Sequence, residues 1–326
     1  MNMRNHLCTS AEQALMSMNK SKHTGIIIID INLKGRDSVY RCCNIKKLIK
    51  MLVYDTIIFT LLWSCLNAGG CFDASCTDEE GIAIPIIMYH SVKECNPSDY
   101  SVTPRALEND IKYLNERGYK TVLPSDLAQY VYGNGELPEK PVMITFDDGF
   151  YNNLYYALPL LEKYDFSAVI SIVGKFTDVD AEKDPDIPKY SYLTWNEINE
   201  LIDSKRIEIG NHTYNMHLSD GNARGASIRR GETEDEYAER LTKDIGLLQT
   251  EIYEQTDYLP ITFAYPFGYI SDESLPILRE LGFKVTLSCY EKKSIIKREA
   301  DCLYNLGRYN RSGLVSTEEF MKKIAC

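Results

Sequence analysis

From residue 82 onward, short apolar runs alternate with stretches in which apolar residues recur every three or four positions. The runs 82–88, 142–146, 168–173, 207–209, 262–265 and 284–287 are bounded by Gly, Pro or polar residues, a pattern that predicts strands. Between them the spacing predicts helices. Thr103 and Pro104 read as N-cap and first helical residue, Leu107, Ile111 and Leu114 form one apolar face, and Gly118 marks the end. Thr194 with Glu197 and Thr233 with Glu236 have capping-box spacing. After Thr233, the residues Tyr237, Leu241, Ile245, Leu248 and Ile252 predict a long helix that stops before Pro260. Such β-then-α alternation implies an α/β fold with a parallel sheet, open or closed into a barrel, and places any site at the C-terminal ends of the strands.

The first 81 residues have a different character. Residues 51–66 are apolar except for Asp55 and a few small polar residues, and Arg41, Lys46, Lys47 and Lys50 precede them. A basic flank before an apolar core is the polarity of a signal peptide or signal anchor, here over 51–71. Residues 1–50 then form a basic extension, 72–81 a linker, and 82–326 the folded domain, with a non-globular, membrane-directing segment ahead of it. The run Ala68-Gly69-Gly70-Cys71 also has lipoprotein-like features, and a buried core helix is the alternative to export. Ile26 to Ile29 look like a short strand.

The composition, 44% hydrophobic and 25% charged over 326 residues, is that of a globular protein able to fold without metal or disulfide. The net charge of −11 divides unevenly: residues 1–50 carry nine Lys/Arg against three Asp/Glu, so the remainder is strongly acidic. That argues against nucleic acid as a partner, which needs clustered positive charge. Six of the ten Cys precede residue 80, and no zinc-ribbon or disulfide pattern emerges.

Four strand ends carry candidate chemistry. Residues 141–146 run into Asp147-Asp148-Gly149, where adjacent carboxylates repel unless a cation or shared proton compensates. Residues 207–211 run into His212, with His217 five positions on, and these are two of only five His in the chain. On a helix they would diverge by about 140°, so they converge only if His212 ends the strand and His217 lies in the turn beyond it. Two imidazoles and one carboxylate suit a catalytic Zn²⁺ or similar ion and leave the other carboxylate as a base. The run 84–89 brings His90 to the same rim, and Tyr265-Pro266-Phe267-Gly268 offers a turn whose aromatic rings would stack on a sugar. Arg308 and Arg311 are candidates to pair with the acidic rim, Arg308 by orienting Asp147, and the polar loop 218–231 is a candidate border of the groove.

Thr145-Phe146-Asp147-Asp148-Gly149, Asn211-His212-Thr213 with His217, and Tyr265-Pro266-Phe267-Gly268 together resemble the leading motifs of the polysaccharide deacetylases, the NodB-homology carbohydrate esterases, in order and spacing. The core motifs fall within 141–290 and the likeness extends over about 82–311. The resemblance implies a distorted (β/α) barrel and a metal-dependent hydrolase that removes N-acetyl groups, less often O-acetyl groups, from amino-sugar polymers. It implies that Asp147 is the catalytic base, that Asp148, His212 and His217 bind the metal (Zn²⁺ first, Co²⁺ or Ni²⁺ as substitutes), and that the Tyr265–Gly268 turn meets substrate. Three departures from the general pattern stand out. Four residues separate the histidines instead of three, Ala264 stands where many members have Arg, and no His follows His217 to act as general acid. All three are similar to the poly-β-1,6-N-acetylglucosamine deacetylase branch, in which an early Tyr-His motif, here Tyr89-His90, supplies the acid.

The expected reaction is therefore extracytoplasmic de-N-acetylation of an N-acetylglucosamine-containing polysaccharide, with the membrane met through the N-terminal segment and no protein partner. The alternatives are an inactive carbohydrate-binding relative, an O-acetyl esterase and a peptidoglycan deacetylase on the same fold. A two-carboxylate glycosidase is disfavoured, because neighbouring Asp residues on a strand end point to opposite sides and cannot flank one bond.

Overall fold

The computed structural model describes residues 26–28, 42–44, 81–181 and 187–325. The segments read as basic extension, signal or anchor, and linker lie outside these residues, apart from two short strands and Gly81. Among the described residues no helix is long and apolar enough to cross a membrane. The chain divides into a unit over 1–77 and a unit over 78–326. In the first, Ile26–Ile28 pairs antiparallel with Cys42–Asn44, in agreement with the short strand expected there.

The second unit is built on one parallel sheet of eight strands: β1 (Ile86–Tyr89), β2 (Lys120–Thr121), β3 (Pro141–Phe146), β4 (Ala168–Ile172), β5 (Ile207–Asn211), β6 (Thr262–Ala264), β7 (Val285–Leu287) and β8 (Tyr309–Asn310). Their order is β7-β6-β5-β4-β3-β1-β8, with β2 beside β3. The sheet curls. Leu306 bridges Leu287 on the β7 edge, and three residues later Tyr309 and Asn310 pair with Ile87 and Met88 of β1, so one short segment touches both ends of the strand path.

Side-chain alternation along the strands divides most of the apolar residues between two clusters, while Phe263 of β6 belongs to a third with Tyr237, Leu241 and Ile245. Ile144, Phe146, Ile170, Ile172 and Ile209 pack with Leu107, Ile111 and Leu114 of the helix Pro104–Glu116. Met143, Val169, Ala264, Val285 and Leu287 pack inside the curl with Leu303 and Leu306. All five periodic residues of the helix Glu234–Thr256 are buried, and both expected capping boxes form.

The expected strand 82–88 is in fact two strands. Ile82–Ile84 pairs antiparallel with Ser294–Ile296, whereas β1 enters the main sheet. Pro85 lies between them, with no N–H to continue a ladder, although its carbonyl still accepts from Met143 N (3.1 Å). Arg311 differs from expectation too. It turns from the rim into the interior, where Nε and Nη2 meet the Asp110 carboxylate at 2.7 and 3.1 Å, and Tyr89 Oη donates to the same group at 2.9 Å.

Candidate active site

The C-terminal ends of β1, β3, β5 and β6 open into a pocket of about 620 Å³ lined in part by His90, Asp147, Asp148, His212, His217 and Phe267. Each reaches it because the chain turns sharply past its strand. Asp148 (φ 73°) and Gly149 (φ 71°) are both left-handed. A Cβ on Gly149 would press on Ile172 Cγ2 at 3.0 Å, so a side chain there would be crowded as well as strained by the positive φ. Thr213 is also left-handed (φ 73°), which is rare for a β-branched residue and costs on the order of 1–3 kcal/mol. Local bonds hold it: Thr213 N donates to Asn211 Oδ1 (2.9 Å) and Thr213 Oγ1 accepts from Met216 N (3.2 Å). This turn, not a helix, brings His217 back to His212, with ring centroids 5.2 Å apart.

Asp148, His212 and His217 converge. One ligand atom from each lies within 4.8 Å of the others, and Asp148 Oδ1 is 3.6 Å from His212 Nε2 and 3.1 Å from His217 Nε2. Three features of this set fit a divalent cation. Asp148 Oδ1 is buried without a hydrogen-bond partner, which a bound cation would remedy. His212 Nδ1 is 2.7 Å from Ala264 O, which can only accept, so the proton sits on Nδ1 and the Nε2 lone pair faces the carboxylate. Burial also pushes the His212 pKa down, favouring the neutral imidazole that a metal needs.

Asp147 is separate from this set. Its carboxylate is fully buried and clamped by Arg308, with Nη1–Oδ1 and Nη2–Oδ2 both 2.7 Å. Burial alone would raise its pKa, but the Arg308 charge and paired bonds outweigh it and hold the group below the ordinary carboxylate range. Arg308 is fixed in turn by Ser288 O (Nε, 2.8 Å) and Thr145 Oγ1 (Nη1, 3.2 Å). Breaking one side of such a buried pair costs about 3–5 kcal/mol. Arg308 thus lies at the rim against Asp147, the residue it was expected to face.

His90 lines the same pocket, its ring edge-on to Tyr100 (centroids 5.1 Å) and its Nδ1 buried without a partner. The 265–268 turn is less uniform than its sequence suggests. Tyr265 is wholly buried, its hydroxyl 2.7 Å from Ser274 Oγ, so its ring belongs to the core and cannot meet a sugar. Pro266 and Gly268 are buried as well. Phe267, 44% exposed, is the ring this turn presents, 4.4 Å from the His217 ring. The N–H groups of Tyr265, Gly268 and Tyr269 are bonded to Leu287, Tyr265 and Pro266 carbonyls, and Pro266 has none, which leaves that of Phe267 as the turn's candidate oxyanion donor.

The loop expected to border the groove meets this turn, with the Arg224 guanidinium 5.8 Å from the Tyr269 ring. Tyr100, Tyr269, Cys289 and Glu291 also line the pocket and escaped the sequence reading. For Cys289 and Glu291 the signal was available: they follow β7, whose end obeys the same strand-to-rim rule as the others.

Residues 134–286 match the family model described as polysaccharide deacetylase. The poly-β-1,6-N-acetyl-D-glucosamine N-deacetylase of Escherichia coli K12 is 28% identical over 217 residues, which cover 60% of this chain but 32% of that protein. The chain thus spans about a third of the length of this curated relative. The enzyme of the same name from Staphylococcus aureus MRSA252 is 26% identical over 210 residues, covering 64% of this chain and 67% of that one. Among solved structures, IcaB from Ammonifex degensii superimposes with a TM-score of 0.61 at 24% identity, covering 76% of this chain and 97% of that one. A de-N-acetylase from Aggregatibacter actinomycetemcomitans gives a TM-score of 0.63 at 22% identity, covering 74% and 100%. At these identities the structural likeness is one of fold.

Proposed function

The chain carries a polysaccharide deacetylase domain, and from that premise we propose that it hydrolyses N-acetyl groups on an N-acetylglucosamine-containing polysaccharide in a metal-dependent reaction. The observation that carries the reading is the division of labour between adjacent carboxylates: Asp148 is shared by two imidazoles, and Asp147 is held apart by Arg308. Asp148, His212 and His217 would hold a divalent cation, which when bound would supply Lewis acidity and lower the pKa of a water. Asp147 accepts the proton of the attacking water, and Arg308 keeps its carboxylate ionised and fixed in direction. The Phe267 N–H stabilises the developing oxyanion, and the Phe267 ring packs beside the sugar. His90 delivers a proton to the departing amine, which is too basic to leave as an anion.

His90→Ala tests the last step. The variant is expected to keep its fold and metal content while turnover on N-acetylglucosamine oligomers falls by roughly 10²–10⁴. Hydrolysis of an aryl acetate, whose leaving group needs no proton, falls far less. Unimpaired amide turnover would remove His90 from the mechanism.

The domain organisation enters the proposal too. A basic flank before the apolar run 51–66 would keep the N-terminus inside and put the deacetylase domain outside the membrane. Protease added to intact cells is then expected to digest the domain. Full protection, with the protein in the cytosolic fraction, would contradict export.

A further inference from the structure

β1 ends at Tyr89, and the next three residues leave the main ladder while Ser91 and Val92 remain buried. Backbone groups in that position need partners, and two asparagines serve them with their side chains. Asn153 Nδ2 donates to His90 O (2.9 Å). Asn152 Oδ1 accepts from Val92 N (2.8 Å), and its Nδ2 donates to Ser91 Oγ (3.0 Å) and Pro188 O (2.9 Å). The two amides also meet each other, Asn153 Nδ2 lying 3.3 Å from Asn152 Oδ1, and both residues are fully buried. The segment that carries Asp147 and Asp148 therefore also grips the strand end that carries His90.

The grip is costly, since Asn153 Oδ1 is buried with no partner. An apolar side chain would fill the space without that penalty of about 1–3 kcal/mol. His90 Nδ1, on the residue that Asn153 already holds, is likewise buried and unpaired. One is an acceptor and the other carries a proton when Nε2 is free to act.

We propose that Asn153, backed by Asn152, is the positioning residue of the general acid: it fixes the His90 backbone, and its unspent Oδ1 is the acceptor available to His90 Nδ1–H. This rests on the assignment of His90 as general acid. It makes the amide clamp part of catalysis and not only of folding.

The test uses the full chain loaded with metal, as His90→Ala, Asn153→Ala and the double variant, on an N-acetylglucosamine oligomer and an aryl acetate. Asn153→Ala is expected to lower kcat on the amide by roughly 10–100-fold, part of the range of a lost general acid, with KM within about two-fold. On the aryl acetate the loss is expected to be below about three-fold, and the double variant to be no slower on the amide than His90→Ala alone. If the alanine variant does not fold, Asn153→Leu fills about the same space, removes both the donor to His90 O and the Oδ1 acceptor, and is read in the same way. Equal losses on both substrates, or a double variant slowed by the product of the single effects, would reduce Asn153 to a structural residue. An impaired His90→Ala with unimpaired Asn153 variants overturns this proposal alone. An unimpaired His90→Ala overturns the acid assignment and the clamp together.

Discussion

Asp147→Asn is expected to retain stoichiometric metal and lose turnover by about 10³ or more, toward the upper end of what a positioned base contributes. The substitution is nearly isosteric and leaves the Asp148, His212 and His217 cluster untouched. What disappears is the acceptor for the water proton. The buried Arg308 charge also loses its counter-ion, so the variant should be less stable by several kcal/mol, on the scale of about 3–5 for a broken buried pair. Asp148→Asn is expected to behave in the opposite way. Arg308 and Asp147 stay paired, stability is largely kept, and metal affinity falls because an anionic ligand has been replaced by a weak neutral one. Metal content, denaturant midpoint and turnover on the two variants separate the roles. Equal metal loss in both would show that the division between the two carboxylates is wrong.

Removal of the metal is expected to abolish amide hydrolysis, by at least about 10³-fold, because water near neutral pH is too weak a nucleophile for an amide without Lewis-acid help. Re-addition of Zn²⁺, Co²⁺ or Ni²⁺ should restore it. The chelated protein should remain folded, since the apolar clusters on both faces of the sheet close without contribution from the site. A chelator that unfolds the protein would mean that the site is structural.

The features that sequence made legible are those that depend on near neighbours. Helix caps, the buried face of Glu234–Thr256 and the strand-to-turn transitions at Asp147, His212 and His90 follow from local periodicity and turn chemistry. The wide histidine spacing was readable as a turn, because a helix would have set the two rings apart. Local pattern failed for most partners that lie far along the chain. Arg308 was expected beside Asp147, 161 positions away, but Arg311, expected at the same rim, meets Asp110 across 201, and nothing near either arginine distinguishes a rim position from a core position. The same blindness hid Asn152 and Asn153, whose partners at His90, Ser91 and Val92 lie some sixty residues upstream. Within the Tyr265–Gly268 turn, sequence located the aromatic residues but not their directions. Tyr265 still pairs with β7 through its N–H and turns its ring into the core, whereas the left-handed Phe267 turns its ring out.

The most direct measurement of the central claim is acetate release, with free-amine formation and chain length followed in parallel, when the full metal-loaded chain acts on β-1,6-linked N-acetylglucosamine oligomers, chitin-type oligomers and peptidoglycan. The account predicts acetate and amine in equal amounts from at least one of these polymers, unchanged chain length, and loss of both signals on chelation. Shortened chains without acetate, or no acetate from any acetylated amino-sugar polymer by a protein carrying its stoichiometric metal, would contradict it.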